Sequence, residues 1–247
     1  MVTLEEIAVE RPHLKDALGL YEKVMEFNRL TSDLKLSSGA VSYPPGSIDL
    51  IFKSFSSVFD MPEDILDPLK EAMKLGQIDL SRIPFNEIPA FSLPYHEDEL
   101  STILFLIGKP YFTSLRGSYS LRDVFWESGR CPVCKSFPSL SFIKQDEGRT
   151  LYCSYCESRG KWHRIGCPHC QSRDAGKLEI ITTEEEKGLR IDLCNGCRSY
   201  IKTINDTLLN DYTPELLDII SLPLDILAQD RAYKRLSPNP VGMRKMA

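Results

Sequence analysis

Apolar residues recur at three-and-four spacing through the first half of the chain, which is the pattern of amphipathic helices. One such stripe runs from His13 to Leu30, and another begins near Glu97. Gly108 and Pro110 interrupt the second stripe, so we expect that helix to bend or end there. The pattern predicts a helical domain over residues 1–127.

Short alternating segments replace the helical pattern from about residue 128. Strands are predicted in two pairs, 141–145 with 149–152 and 177–182 with 189–193. The turns between the paired strands are polar: Asp146-Glu147-Gly148 and a segment with the acidic run Glu184, Glu185, Glu186. Helical character returns at Thr213-Pro214, where a capping residue precedes a proline suited to a first helical turn.

These elements predict an α+β protein with four parts. A helical domain (1–127) is followed by two small β modules (128–165 and 166–205) and by a C-terminal helix and tail (206–247). The two β modules follow one plan, with a hairpin between two Cys-x-x-Cys turns, which we call knuckles. We interpret them as an internal repeat.

All eight cysteines of the chain lie in these knuckles. The four pairs are Cys131/Cys134, Cys153/Cys156, Cys167/Cys170 and Cys194/Cys197. Thiols clustered in this way bind metal more often than they form disulfides in a cytosolic chain. Two knuckles supply four sulfurs for a closed tetrahedral site, which leaves no position for a substrate. We expect the first knuckle to pair with the second and the third with the fourth, while a crossed pairing is the alternative.

The identity of the metal stays open at this point, because thiolate tetrahedra bind both zinc and iron. Dithiol redox chemistry of the thioredoxin kind is less favoured, because the sequence lacks the βαβ pattern around the knuckles. The sequence contains no Gly-rich phosphate loop, nucleophile elbow or plausible catalytic triad. We therefore expect a binding protein and not an enzyme.

Composition and charge limit the class of protein further. The chain of 247 residues is 42% hydrophobic and 26% charged, which is typical of a globular protein. Its net charge of -5 gives no general attraction to nucleic acid. No apolar run approaches the roughly 20 residues that span a bilayer. The N-terminus has neither the basic start nor the apolar stretch of a secretory signal, so we expect a cytoplasmic location without membrane insertion.

Positive charge gathers around the second and third knuckles. The residues concerned are Arg159, Lys161, Arg164 and Arg173. They are candidates for binding a partner through an acidic segment or a phosphate backbone. The alternative is a solvated surface that offsets the negative charge of two tetrathiolate sites.

Several of these motifs resemble the formate dehydrogenase accessory protein FdhE family. The similar segments are Cys-Pro-Val-Cys at 131–134, Leu-Tyr-Cys-Ser-Tyr-Cys at 151–156, Trp-His-Arg at 162–164, Ser-Tyr-Ile-Lys at 199–202, Leu-Asp-Ile-Leu at 224–227 and Pro-Asn-Pro at 238–240. The similarity extends over about residues 128 to 240.

The resemblance implies two rubredoxin-like modules behind a helical domain. It implies that Cys131, Cys134, Cys153 and Cys156 hold one iron ion and that Cys167, Cys170, Cys194 and Cys197 hold another. It also implies a cytoplasmic maturation factor, a chaperone-like protein that docks on the catalytic subunit of formate dehydrogenase. The residues that follow the knuckles depart from rubredoxin, which favours glycine there, so zinc stays an alternative to iron; they are Lys135, Glu157, Gln171 and Arg198.

Two other functions remain open from the residues themselves. A zinc ribbon that binds nucleic acid would use the basic residues on phosphates, although the overall acidity disfavours it. A rubredoxin-like redox protein would use iron at the same cysteines.

Overall fold

The structure is a computed structural model. It describes residues 2–34, 36, 39–85, 87, 94–119, 124–144, 148–183 and 187–245. Most of the predicted turn at Asp146-Glu147 and the acidic run Glu184–Glu186 lie outside the described residues.

Helices build the N-terminal part, as the periodicity predicts. They are α1 (Leu4–Glu10), α2 (Lys15–Leu30), α3 (Pro45–Phe59), α4 (Glu63–Lys74) and α5 (Glu97–Arg116), with 3-10 turns at Pro12–Leu14 and Leu80–Phe85. Their apolar stripes meet in one core, in which Phe27 of α2 lies edge-on against Phe55 of α3, with ring centroids 5.5 Å apart. Burial of these stripes explains why the short helices are stable together.

Helix α5 continues through Gly108 and Pro110 to Arg116, so of the two expected outcomes, a bend or an end, the helix does not end there. The Tyr43 hydroxyl explains how the helix passes this point. It donates a hydrogen bond to the Ile107 carbonyl (2.6 Å) and accepts one from the Tyr111 amide (2.9 Å). These two groups would ordinarily bond each other in an α-helix. The inserted hydroxyl satisfies both of these groups beside the proline, which allows the helix to continue past it.

The two β modules share one six-stranded sheet. Its strands are β1 (Leu140–Lys144), β2 (Gly148–Tyr152), β3 (Arg159–Trp162), β4 (Leu178–Thr182), β5 (Leu189–Cys194) and β6 (Ser199–Asn205). Their order is β3-β2-β1-β6-β5-β4. Only the central pair of these strands, β1 and β6, is parallel. Each half therefore contains three consecutive antiparallel strands. The predicted division into two modules at residues 165/166 stays a prediction, because one sheet joins both halves.

Two C-terminal helices, α6 (Pro214–Ile220) and α7 (Leu222–Asp230), complete the fold. Thr213 caps α6 as predicted, since its side chain accepts a hydrogen bond from the Leu216 amide. Four charged side chains are buried between these helices, β6 and the tail: Lys202, Asp218, Asp225 and Arg235. They pair with one another, which offsets the cost of removing them from water.

The mixed α+β class is confirmed. Among the helices that the structure describes, none combines the length and apolar character needed to cross a bilayer.

Candidate metal centres

The four knuckles have one backbone geometry. The residue after the second cysteine is left-handed in each, with φ between 54° and 63°: Lys135, Glu157, Gln171 and Arg198. Its amide bonds back to the carbonyl of the first cysteine, as from Lys135 to Cys131 (2.9 Å) and from Gln171 to Cys167 (2.8 Å). Glycine is favoured in this left-handed conformation. The four non-glycine residues therefore differ from rubredoxin in residue type, but they keep the conformation of the turn.

The first centre brings together the sulfurs of the first and second knuckles. All four Sγ atoms lie within 4.8 Å of one another. The sulfurs of Cys131 and Cys156, and those of Cys134 and Cys153, lie 3.4 Å apart. All four residues are buried.

The second centre joins the third and fourth knuckles in the same way. Cys167 pairs with Cys197, and Cys170 with Cys194, each with sulfurs 3.7 Å apart. Cys167 and Cys194 are buried, whereas Cys170 and Cys197 reach solvent. The two centres thus have the same donors but different accessibility.

The geometry fits a metal ion bound by four thiolates. With a metal–sulfur bond of about 2.3 Å, a regular tetrahedron has sulfurs ~3.8 Å apart. The observed separations of 3.4 and 3.7 Å are close to this value. They are far longer than a disulfide bond of about 2.05 Å, and all eight cysteines are free. The donors at each centre fit zinc or iron equally well, and a closed shell would leave the metal no open position.

The thiols of the first centre differ in acidity without a metal. Burial raises the pKa of the Cys134 and Cys153 thiols well above its ordinary value. Hydrogen bonds from Cys131, Cys134 and Cys153 lower the pKa of Cys156. A bound cation would favour the thiolate form of all four, and its binding would release protons.

Serine follows each knuckle at a fixed position, which the cysteine spacing alone did not reveal. The motif Cys-x-x-Cys-x-Ser occurs four times, with Ser136, Ser158, Ser172 and Ser199. Three hydroxyls lie against sulfur: Ser136 is 3.0 Å from Cys153, Ser158 is 3.0 Å from Cys156, and Ser199 is 2.9 Å from Cys197. Once the thiols are ionised, these hydroxyls are donors that stabilise thiolate charge.

Ser172 is the exception among these serines. Its hydroxyl accepts a hydrogen bond from the Asp174 amide (3.4 Å) and so supports the loop that follows the third knuckle. This difference provides a natural control for the role of the other three hydroxyls.

A buried lysine attaches the first centre to the helical part. Lys109 of α5 donates to the Ser154 carbonyl inside the second knuckle (2.5 Å) and pairs with Glu157 directly after it (3.0 Å). Although burial opposes the charged form, Glu157 and Glu215 raise the pKa of Lys109. No sequence pattern indicated this contact, because Lys109 lies in an otherwise apolar helical stripe.

Arg149 connects the two halves of the sheet. Its buried guanidinium reaches from β2 to Asp192 of β5 (3.1 Å) and to the Gly166 carbonyl just before the third knuckle (3.0 Å). His169, inside that knuckle, contacts the Ser199 hydroxyl through Nδ1 (2.8 Å) and the Phe137 ring beside the first. Burial lowers the pKa of His169 to about 3, so its ring is neutral near neutral pH. The two centres are therefore held in one packed unit.

The predicted partner residues do not line one common cavity. Arg159 and Lys161 are exposed on the same face of β3, and the Arg159 guanidinium lies 4.5 Å from the Phe142 ring centroid. Arg159 also lines a cavity beside Tyr152 and Glu215, whereas Arg164 lines another one at the ends of β1 and β6. Arg173 contacts the His163 ring. Their role in binding a partner stays a prediction.

The fold and the centres define a class: mixed α+β proteins with a helical part and a sheet that carries two four-cysteine centres. The family model described as "FdhE, C-terminal domain" matches residues 165–241. A "Protein FdhE homolog" from Aquifex aeolicus is 30% identical over 150 residues. Residues 165–241 thus match the C-terminal domain of FdhE, and the chain is similar to FdhE homologues.

Other comparisons agree with this assignment. A "Protein FdhE homolog" from Haemophilus influenzae is 36% identical over 114 residues, which are 44% of this chain and 37% of that protein. The Aquifex match includes 59% of this chain and 53% of its relative, so the chain matches about half or less of these relatives' length. The crystal structure of the FdhE protein from Pseudomonas aeruginosa has the same fold. The structural match covers 96% of this chain and 92% of the Pseudomonas chain, with a TM-score of 0.69 and 19% sequence identity.

Proposed function

We propose that this protein is a cytoplasmic accessory factor that docks on the catalytic subunit of formate dehydrogenase and supports its assembly or activation. The observation that carries the proposal is the pair of closed four-cysteine centres in a chain that is similar to FdhE homologues. Closed centres are suited to shaping a surface or to one-electron redox chemistry, because they offer a substrate no metal position. A non-enzymatic role is consistent with this arrangement.

Iron is the proposed metal, with zinc as the alternative. Cys131, Cys134, Cys153 and Cys156 would hold one ion, and the four cysteines of the second centre would hold the other. Metal analysis should find about two ions per chain. A red protein with ferric-thiolate absorption would support iron, whereas a colourless protein with stoichiometric zinc would exclude the iron assignment.

The docking proposal is tested by capture of the purified catalytic subunit. The intact protein should retain the subunit, and Cys134→Ser and Cys170→Ser should each weaken retention because a collapsed centre changes the surface. Ser172→Ala, just after the third knuckle, is the control, since its hydroxyl accepts a hydrogen bond from the Asp174 amide. Failure of the metal-loaded, folded protein to retain the subunit would refute the docking proposal.

Charge reversal tests the predicted contact residues. Arg159→Glu and Arg173→Glu should weaken capture, and Lys53→Glu, on the exposed surface of α3, should not. Equal capture by all three variants would remove Arg159 and Arg173 from the docking surface while leaving the metal-dependent test intact.

A further inference from the structure

The second and fourth knuckles differ at one matched position. Each knuckle has two residues between its cysteines, and the later of the two is Tyr155 in the second knuckle and Gly196 in the fourth. The Tyr155 ring is buried against Phe105 and Phe112 of α5, with ring centroids 4.9 and 5.1 Å away. Gly196 has no side chain and is exposed. Helix α5 therefore covers a knuckle of the first centre, whereas the matching knuckle of the second centre is open.

The C-terminal tail adds to the cover of the first centre. The Ser154 hydroxyl, inside the second knuckle, donates a hydrogen bond to the Pro238 carbonyl (3.0 Å). The Arg244 guanidinium donates one to the Tyr155 hydroxyl (3.1 Å). A metal acceptor can therefore reach the first centre only after the tail or the helical part has opened.

The second centre presents half of its sulfurs to solvent. Residues 195–198 are all exposed, and Cys197 among them reaches solvent, as does Cys170 of the third knuckle. Cys167 and Cys194 are buried. The centre thus has an open side with one sulfur from each knuckle and a closed side with the other sulfur of each.

Hydroxyl contacts with sulfur are also fewer at the second centre. At the first centre, the Ser136 and Ser158 hydroxyls lie within 3.2 Å of three sulfurs, those of Cys134, Cys153 and Cys156. At the second centre, one sulfur has so close a hydroxyl among the described residues, Cys197 with Ser199 at 2.9 Å. Outer hydrogen bonds to metal ligands typically change metal affinity by about 10–100-fold. The second centre is therefore the less strongly supported of the two.

A closed thiolate shell still allows one ligand to replace another. An incoming thiolate can bond to zinc as the bond to Cys170 or Cys197 breaks, because zinc accepts a fifth ligand in a transition state. Each incoming thiol gives up a proton and each displaced cysteine takes one up, so the oxidation state of the metal does not change. Two further acceptor thiols then displace Cys167 and Cys194 in the same way, which completes the transfer.

We propose that the second centre transfers its metal ion to the thiolates of a partner protein by ligand exchange at Cys170 and Cys197, whereas the first centre keeps its ion. The exchange rests on the open side of the second centre. That the recipient is the formate dehydrogenase catalytic subunit rests on the function proposed above.

Metal transfer to a synthetic peptide tests the exchange without that subunit. The acceptor is a metal-free peptide with two Cys-x-x-Cys motifs, in excess over the zinc-loaded protein, and the zinc on the peptide is measured after separation by size. One zinc per chain should transfer quickly. Cys134→Ser, which keeps the second centre, should transfer its zinc at that rate. Cys170→Ser, which keeps the first, should be at least about tenfold slower, because the first centre must open.

Urea distinguishes exchange in the folded protein from release after opening. A rate that requires opening rises with urea even below the unfolding transition, because opening exposes surface. The fast phase of the unsubstituted protein should be nearly constant over this range of urea, and the slow phase should rise. A fast phase that rises as steeply as the slow one would overturn the proposal.

A side chain at Gly196 tests the open side directly. The φ angle of Gly196 is not positive, and an added Cβ would lie 3.3 Å from Cδ of the flexible Lys177 side chain and 3.7 Å from the Cys194 sulfur, so the knuckle can accept it. Gly196→Leu should slow the fast phase at least about threefold by covering sulfur. Gly19→Leu, at an exposed glycine of α2 with open space around it, is the matched control and should leave the rate unchanged. Equal rates in these two variants, or no transfer from the zinc-loaded protein, would overturn the proposal.

The capture assay separates this inference from the proposed function. If the peptide receives zinc as expected but the catalytic subunit is never captured, the docking proposal fails and the second centre stands as a donor to another thiolate protein. If the subunit is captured but the peptide receives no zinc, this inference fails and docking stands.

Discussion

The Ser136 hydroxyl lies 3.0 Å from the sulfur of Cys153, although the two residues belong to different knuckles. The same hydroxyl is 3.2 Å from the sulfur of Cys134. A serine that follows the first knuckle thus links both halves of the first centre. Its side chain is buried, so water cannot take over its role.

Ser136→Ala should weaken metal retention at the first centre. Loss of a hydrogen bond to a metal thiolate typically costs about tenfold or more in metal affinity. Competition with a chromophoric chelator measures this change, and in an iron-loaded protein voltammetry should show a lower reduction potential, because thiolate charge is less compensated. Ser172→Ala should change neither quantity; an equal effect of both substitutions would contradict a role for the hydroxyl at sulfur.

The second centre should lose its metal before the first. Two of its thiols, Cys170 and Cys197, reach solvent, whereas every thiol of the first centre is buried. A chelator can approach exposed sulfurs directly, but reaching the first centre requires local opening. The Cys134→Ser variant retains only an intact second centre, and the Cys170→Ser variant retains only an intact first centre. The rate of metal release from each centre can therefore be measured separately and compared. Faster release from the Cys170→Ser variant would contradict this prediction.

Gln171→Gly should stabilise the protein by about 0.5–1 kcal/mol. Gln171 is exposed with φ of 63°, a conformation that costs a residue with Cβ about 1 kcal/mol or more and costs glycine little. Urea unfolding of the metal-loaded protein measures the free energy. Gln77→Gly, at an exposed position without a positive φ, should destabilise it by a similar amount.

Asp225→Asn should destabilise the fold by about 3 kcal/mol, because it leaves Lys202 and Arg235 buried with too little negative charge. Burial opposes ionisation of Asp225, yet Arg235 and Lys202 lower its pKa below the ordinary 3.8. This carboxylate therefore contributes stability above about pH 4, and the contribution is lost as the pH falls through the lowered pKa. Urea unfolding at neutral and acid pH measures both effects. Exposed Asp211→Asn should cost little at either pH; an equal loss from both substitutions would contradict the prediction.

Local pattern was sufficient for much of the fold. The predicted stripe from His13 to Leu30 corresponds to α2 and its preceding 3-10 turn, and the start at Glu97 is the first residue of α5. Periodicity succeeds here because each helix buries one continuous face. At Pro110 the pattern left a bend or an end open, and the helix does not end there because Tyr43, distant in sequence, bonds to the Ile107 carbonyl and the Tyr111 amide.

Cysteine spacing predicted the two four-cysteine centres, because a Cys-x-x-Cys turn constrains its own backbone and brings two sulfurs together. The Cys-x-x-Cys-x-Ser repeat was visible as well, but only the structure distinguishes Ser136, which contacts sulfur, from Ser172, which supports a loop. Orientation of a short hydroxyl depends on what packs around it.

The helical and β segments, the four knuckles and the α+β class could be predicted from the sequence, since they follow from contacts between near neighbours in the chain. The three-dimensional packing was needed to show that β1 and β6 join both halves in one sheet and that Lys109 bonds to the second knuckle. Each of these depends on residues far apart in sequence, and no local pattern encodes which distant surfaces meet.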